Sequence, residues 1–330
     1  MKSRSKSILN DDTIIRLFEN AGILQVKSIV PLEGGEFNSL YSVDTEDQSY
    51  VIKIAPIDDS CILTYESHMM EQEVYFYSLL RNRTAIRVPT IYYSDFSGKT
   101  VASSYFIMEK LAGTQVDQAG LKTEELSIVE VKTAQMVAQM HAIKGEKFGY
   151  AQNGLQDDWY HALYSMIENL NKDAIRFHKS SRNGETLLKY VTLNKTILES
   201  VDCRMVNFDI WQPNIFCSRK SGELKLAWID LERCFWGDRI ADFVSLDFMN
   251  MSLDKKTRSL EAYNLVSDEP IVVTDSERIR YFIMLGYLGL IMEIEKYARY
   301  SFFHFGWWRN VAVCKLLFKN SLKMLHELTK

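Results

Sequence analysis

The hydrophobic period of this chain changes near Leu111-Ala112-Gly113-Thr114, and that change limits the folds open to it. Upstream, short apolar runs between turn residues predict strands over 26–32, 40–43, 50–54, 90–93 and 104–108, with one helix over 66–80 between the third and fourth. Downstream, Leu126, Val129, Thr133, Met136, Val137 and Met140 recur at steps of three and four, the stripe of a helix that faces a core. A chain of 330 residues is long enough for two lobes. The expected class is α+β: a small antiparallel β lobe with one helix over 1–108, a hinge over 109–114, and a larger, mainly helical lobe over 115–330.

Composition removes several classes of function. Hydrophobic residues at 47% and charged residues at 25% exclude a disordered chain. With 39 basic residues against 43 acidic ones and no long run of like charge, nucleic acid is not an expected partner. Cys61, Cys203, Cys217, Cys234 and Cys314 are scattered without a C-x-x-C pair, which predicts a reducing compartment and no structural zinc. The basic N-terminus runs into Asp11 and Asp12 rather than an apolar stretch, so it does not read as a signal peptide. The uncharged stretch from Tyr281 to Met292 falls short of the roughly 20 residues that span a bilayer. A soluble, cytoplasmic monomer or homodimer with no membrane partner is expected.

Chemistry-bearing residues gather around one predicted hairpin, with strands over 215–217 and 224–229 and the turn Lys220-Ser221-Gly222-Glu223. Asp209 and Asn214 precede its first strand and Asp230 follows its second. In an antiparallel pair the start of one strand lies beside the end of the next, so three oxygen-bearing side chains converge. Two acids and an amide suit a hard cation such as Mg2+. Any one of these acids could simply cap a turn or a helix; the D-x-x-x-x-N spacing with the closing Ile-Asp favours a site.

A second pairing comes from the β-rich part. Alternation in Tyr50-Val51-Ile52-Lys53-Ile54 puts Lys53 on the same face as Val51. Glu73 shares a helical stripe with Met69, Met70, Phe76, Tyr77 and Leu80, and a carboxylate on an apolar face needs a cation. Glu71 falls on the exposed side, so Glu73 is the expected partner of Lys53. Gly34 and Gly35, ahead of the strand lysine, could bring backbone N–H groups to a polyphosphate, although a full G-x-G-x-x-G is absent.

Lys53, Glu73, Asp209, Asn214 and Asp230, in this order, resemble the protein-kinase-like bilobal fold. More closely, the chain resembles the aminoglycoside phosphotransferase and choline kinase-like family. The matching stretches are Met140-His141-Ala142-Ile143 with Phe148-Gly149-Tyr150, Asp209-Ile210-Trp211-Gln212-Pro213-Asn214-Ile215, Trp228-Ile229-Asp230-Leu231-Glu232, and Gly237-Asp238 with Ala241-Asp242-Phe243. The resemblance implies that Asp209 orients the acceptor hydroxyl and takes its proton, and that Asn214 and Asp230 hold Mg2+. It implies that Lys53, paired with Glu73, holds the α- and β-phosphates of ATP or GTP. Val51, Gly34, Gly35 and the main chain of Glu109 to Leu111 would complete the nucleotide site. Asn207 stands where the family usually has His.

A protein kinase is the rival enzyme, but Asp230 lacks a glycine two residues on, only eleven residues separate it from Asp242, and no Ala-Pro-Glu follows. A kinase-like binding or structural shell without turnover is the rival from another class, and it would be expected to have lost some of these acids. The expected reaction is therefore Mg2+-dependent transfer of the γ-phosphate from ATP or GTP to a hydroxyl of an aminoglycoside, amino sugar or amino alcohol. Candidate acceptor residues are Asp157 with Asp158 and Trp159, Glu232, Trp236 and Asp238, and Glu293 with Glu295 near Trp307 and Trp308. Glu293 could instead pair with Lys296 or Arg299 on its own helix.

Overall fold

Behind the cap Asn10, whose side chain accepts a hydrogen bond from the Thr13 N–H, Ile14, Leu17 and Phe18 recur at helical spacing and form α1 (Asp11–Asn20). The computed structural model describes residues 9–32, 37–58 and 60–330. The next strands, β1 (Ser28–Pro31), β2 (Ser39–Asp44) and β3 (Ser49–Ile54), lead into α2 (Met69–Arg83), followed by β4 (Ile91–Asp95) and β5 (Tyr105–Glu109). They build one antiparallel sheet in the order β1-β2-β3-β5-β4. Alternation along β3 divides its side chains between two cores. Tyr50, Ile52 and Ile54 pack with Ile14, Leu17 and Phe18 of α1, while Val51 lies in the cluster of Phe76, Tyr77 and Leu80 of α2.

All five strands coincide with the expected ones to within two residues, whereas α1 was not expected. Helix α2 starts three residues later than the periodicity suggested. Ser67 is extended and His68 has φ 55°, so the chain breaks after a single 3-10 turn at Thr64–Glu66 before α2 begins.

Past β5, β6 (Thr114–Gln115) opens a mainly helical half: α3 (Thr123–His141), α4 (Trp159–Arg176), α5 (Arg182–Leu193) and α6 (Lys195–Glu199). The site-bearing segment follows as β7 (Arg204–Val206), β8 (Ile215–Lys220), β9 (Glu223–Trp228) and β10 (Phe235–Gly237). It is closed by α7 (Asp242–Ser245), α8 (Thr257–Asn264), α9 (Asp275–Arg299) and α10 (Phe305–Leu328). The uncharged stretch of α9 is buried from Tyr281 to Ile291, which explains its composition as that of a core helix. No helix of the described residues is long and apolar enough to cross a membrane.

The expected hairpin is β8–β9, paired from Ile215↔Trp228 to Lys220↔Glu223. Its central turn residues Ser221 and Gly222 have φ of 53° and 82°, the positive pair that a tight two-residue hairpin turn requires. β6 adds to the same sheet through Thr114↔Cys217 and Gln115↔Phe216. This contact depends on Gly113, which has φ 117° and where a Cβ would sit 2.4 Å from the Cys217 carbonyl oxygen. Gly113→Ala is therefore expected to cost about 2 kcal/mol or more. Urea denaturation checks this, and an unchanged midpoint with an unchanged slope would contradict the close approach.

Candidate active site

One buried ammonium gathers three carboxylates. Lys53 Nζ lies 2.9 Å from Glu73, 2.6 Å from Asp230 and 3.0 Å from Glu232, with its own side chain only 5% exposed. β3 aims Lys53 away from the α1 core, and the apolar stripe of α2 aims Glu73 at it from above. Asp230 and Glu232 arrive on the segment after β9. Burial alone would lower the Lys53 pKa, but the three carboxylates outweigh it and hold the group well above its ordinary value. Glu73 and Glu232 are both raised, chiefly by burial, with the neighbouring Asp230 carboxylate adding to the effect.

Asp209 is fixed from its neighbours. One amide reaches both its main-chain and its side-chain acceptor: Asn214 Nδ2 donates to the Asp209 carbonyl and to its carboxylate, each at 3.0 Å. The amide oxygen of Asn214 thereby points elsewhere, available to a cation. Phe208, just ahead, has φ 61°, a conformation that costs a large L-residue roughly 1–2 kcal/mol. Buried Asp242 holds this turn by accepting the N–H groups of Asn207 at 3.1 Å and Phe208 at 2.6 Å, and it meets His141 Nε2 at 2.9 Å. Asn207 Oδ1 accepts the Asp209 N–H at 3.3 Å, so the residue standing in place of the usual His fastens the backbone of Asp209 directly. Burial raises the Asp209 pKa, opposed most by the Arg233 guanidinium.

Asp230 is also left-handed, with φ 63°, and its N–H donates to the Tyr77 hydroxyl at 2.7 Å. The Ile229 N–H donates to the Asn214 carbonyl at 3.0 Å, extending the hairpin ladder so that Asn214 and Asp230 share one end. The donor set there is an amide oxygen and a carboxylate that is 31% exposed, with Glu232 beside it. These hard oxygens fit Mg2+.

The remaining expected site residues divide. Val51 is buried on the same face as Lys53. Glu109 ends β5 with its carboxylate on Arg87 and Thr90, and Leu111 is half-buried beyond it. Gly34 and Gly35 lie outside the described residues.

The acceptor cluster needs correction. Only Glu232 joins the Lys53 group. Trp236 is buried in β10 against Phe76. Asp238 is fully buried, where it accepts the Ile240 N–H and pairs with Arg280 at 2.8 Å, because an acid inside the helical core needs a cation there. Asp157 is exposed and meets Lys147 at 3.0 Å. Glu293 accepts from Asn183 at 2.8 Å and lies 3.9 Å from Lys296, the pairing along its own helix.

Other residues carry more of the site than the sequence suggested. Tyr77 holds Asp230, and Asn38 donates to Glu232 at 2.9 Å. Arg233 pairs with Glu295 at 2.7 Å, and Glu295 also accepts from Tyr65 at 3.2 Å. Tyr77 had a signal, since it sits one turn after Glu73 on the same stripe. Arg233 had another, directly after Asp230-Leu231-Glu232. Nothing local marks Asn38 or Tyr65, whose partners are distant in sequence.

The raised carboxylates set a pH dependence. A carboxyl whose folded pKa lies above the ordinary 4.5 adds stability at low pH that is lost as pH rises through the folded value. Between pH 5 and pH 8.5 the protein without added Mg2+ should therefore lose thermal stability, and Glu232→Gln should flatten that fall. Melting temperatures across this range check it, and an equally steep fall in the variant would contradict the crowding of charge at Lys53.

The model of the phosphotransferase enzyme family matches residues 28–263, more than half of the chain. An Enterococcus faecium protein named Probable ketoamine kinase is 24% identical over 204 residues, which span 57% of this chain and 64% of that relative. The choline kinase LicA of Streptococcus pneumoniae superposes with a TM-score of 0.65 at 16% identity, covering 95% of this chain and 99% of that one. The aminoglycoside phosphotransferase APH(2")-IIa, in its ternary complex with streptomycin and ATP, superposes with a TM-score of 0.59 at 16% identity over 94% of this chain and 99% of that one. The fold is thus the bilobal, protein-kinase-like α+β fold, and the chain belongs to the phosphotransferase enzyme family.

Proposed function

We propose that this protein transfers the γ-phosphoryl group of ATP or GTP to a hydroxyl of a small molecule, with Mg2+ as its metal. The observation that carries the reading is the convergence of Lys53, Asp230 and Asn214 with a carboxylate, Asp209, anchored on Asn214. Lys53 takes the α- and β-phosphates, with Glu73 keeping it in place. Asn214 and Asp230 offer the oxygens that hold Mg2+, which when bound neutralises the charge of the β- and γ-phosphates. Residues 109–114 act as the hinge between a nucleotide lobe over 1–108 and an acceptor lobe over 115–330, with the main chain of Glu109 to Leu111 against the base.

Asp209 accepts the hydrogen bond of the acceptor hydroxyl and turns its oxygen toward the γ-phosphorus. As the new O–P bond forms and the bond to the leaving diphosphate breaks, the hydroxyl proton passes to the Asp209 carboxylate. The raised pKa of Asp209 makes it a better resting place for that proton. Most of the rate then comes from positioning and charge neutralisation.

An aminated acceptor, such as a ketoamine, amino sugar or amino alcohol, is the class we assign. Its support is the family together with relatives named for ketoamine, choline and aminoglycoside substrates. The acid cluster expected from the sequence no longer contributes to that support.

Asp209→Asn should lower turnover by several orders of magnitude on an acceptor found by screening ketoamines, amino sugars and amino alcohols. Its affinity for nucleotide should stay within a few-fold of the parent. Steady-state kinetics with a nucleotide-binding titration checks both, and near-parental turnover in the variant would refute the role of Asp209.

A further inference from the structure

Away from Lys53 and Asp209, the end of α2, the end of α3 and the α8–α9 connection line an open cavity of about 470 Å3. Its lining sets Arg83, Lys144, Arg204 and Arg239 against Asp268 and Glu269, a surplus of two positive charges. Arg204 is 4% exposed and its Nε has no hydrogen-bond partner. Arg83, in the last turn of α2, makes no ion pair among the described residues.

The cavity already holds an anion of its own. The Glu269 carboxylate lies 2.5 Å from Arg204 and 3.2 Å from Lys144, while its carbonyl accepts from Arg239. Glu269 is 44% exposed and sits on a connection between helices, and Asp202, 3.5 Å from the same Arg204 guanidinium, is 80% exposed, so a stronger external anion competes only with surface carboxylates. Arginine forks suit the oxygens of a phosphate, and 470 Å3 is in the range of small-molecule sites rather than of a bare ion. Ala138, Ala142 and Val266 supply an apolar part for the organic half of such a ligand.

Two walls of the cavity lead to the candidate active site. Arg83 belongs to the helix that carries Glu73. His141 lines the cavity and meets Asp242, which holds the N–H groups of Asn207 and Phe208 ahead of Asp209.

We propose that this cavity is a second site, binding a small organic phosphate ester in place of Glu269, and that its occupancy is coupled to nucleotide binding. The binding stands on the cavity alone; the coupling rests on the nucleotide reading given above. Coupling of this kind is reciprocal, so each ligand must change the affinity of the other by the same factor.

The test is calorimetric titration of the full chain with glucose 6-phosphate and, separately, with inorganic phosphate, keeping the nucleotide site filled with Mg2+ and AMP-PNP. The ester should bind the parent at least tenfold more tightly than the Arg83→Ala/Lys144→Ala double variant, and more tightly than inorganic phosphate. Glu269→Gln, which removes the competing carboxylate but keeps its shape, should bind the ester severalfold more tightly than the parent. Saturating ester should shift the AMP-PNP dissociation constant at least threefold in the parent and not in the double variant. Equal ester affinity in parent and double variant would overturn the site. Inorganic phosphate binding as tightly as the ester would overturn the ligand class, and an unmoved AMP-PNP constant would overturn the coupling. If AMP-PNP itself fails to bind, the nucleotide reading falls, while titration of the same variants with ester alone still decides the cavity.

Discussion

Everything around the candidate active site is arranged by the need to compensate the Lys53 ammonium and the three carboxylates about it. Removing any buried charge from water is expensive, and a lone cation among three anions is stable only if each anion has further partners or carries a proton. The partners come from four places in the chain. β3 brings the lysine, α2 brings Glu73 and Tyr77, and the segment after β9 brings Asp230 and Glu232, with Asn38 at the head of β2 adding its amide to Glu232. One charge cluster therefore fixes the sheet, its helix and the helical half against each other.

Backbone strain follows the same logic. Phe208 and Asp230 both occupy the left-handed region, at roughly 1–2 kcal/mol each, the first next to Asp209 and the second itself one of the groups proposed to carry the chemistry. Each donates its N–H to a buried side chain, Phe208 to the Asp242 carboxylate and Asp230 to the Tyr77 hydroxyl. The pair of strained residues re-aims two carboxylates toward one space that a regular strand could not serve. Asn207 takes part by binding the Asp209 N–H, a short-range task that an amide performs as an acceptor.

What could be read from the sequence was what local periodicity controls. The alternation of β3 and the stripe of α2 sufficed to pair Lys53 with Glu73 over Glu71, and the Ser221-Gly222 turn sufficed to bring Asn214 and Asp230 to one end. The signal of α1, in Ile14, Leu17 and Phe18 behind Asn10, is diluted by the polar residues before it. The partners of the expected acceptor acids were illegible for a different reason. Whether an acid such as Asp238 faces a cleft or a buried Arg280 is decided by a helix 42 residues further on, and sequence spacing holds no record of that contact. The same holds for Glu66, whose partner Arg299 lies on α9.

On the proposed reading, the carboxylates crowded at Lys53 take up a cation that arrives with the nucleotide. Titration of ATP into the protein with and without Mg2+ tests it most directly. Anionic ATP approaching three carboxylates and one ammonium should bind at least a hundredfold more weakly in EDTA than with saturating Mg2+, which corresponds to roughly 2.7 kcal/mol. Equal affinity in the two conditions would refute this reading, since it would mean that the phosphates do not meet Asp230 and Asn214 through a metal.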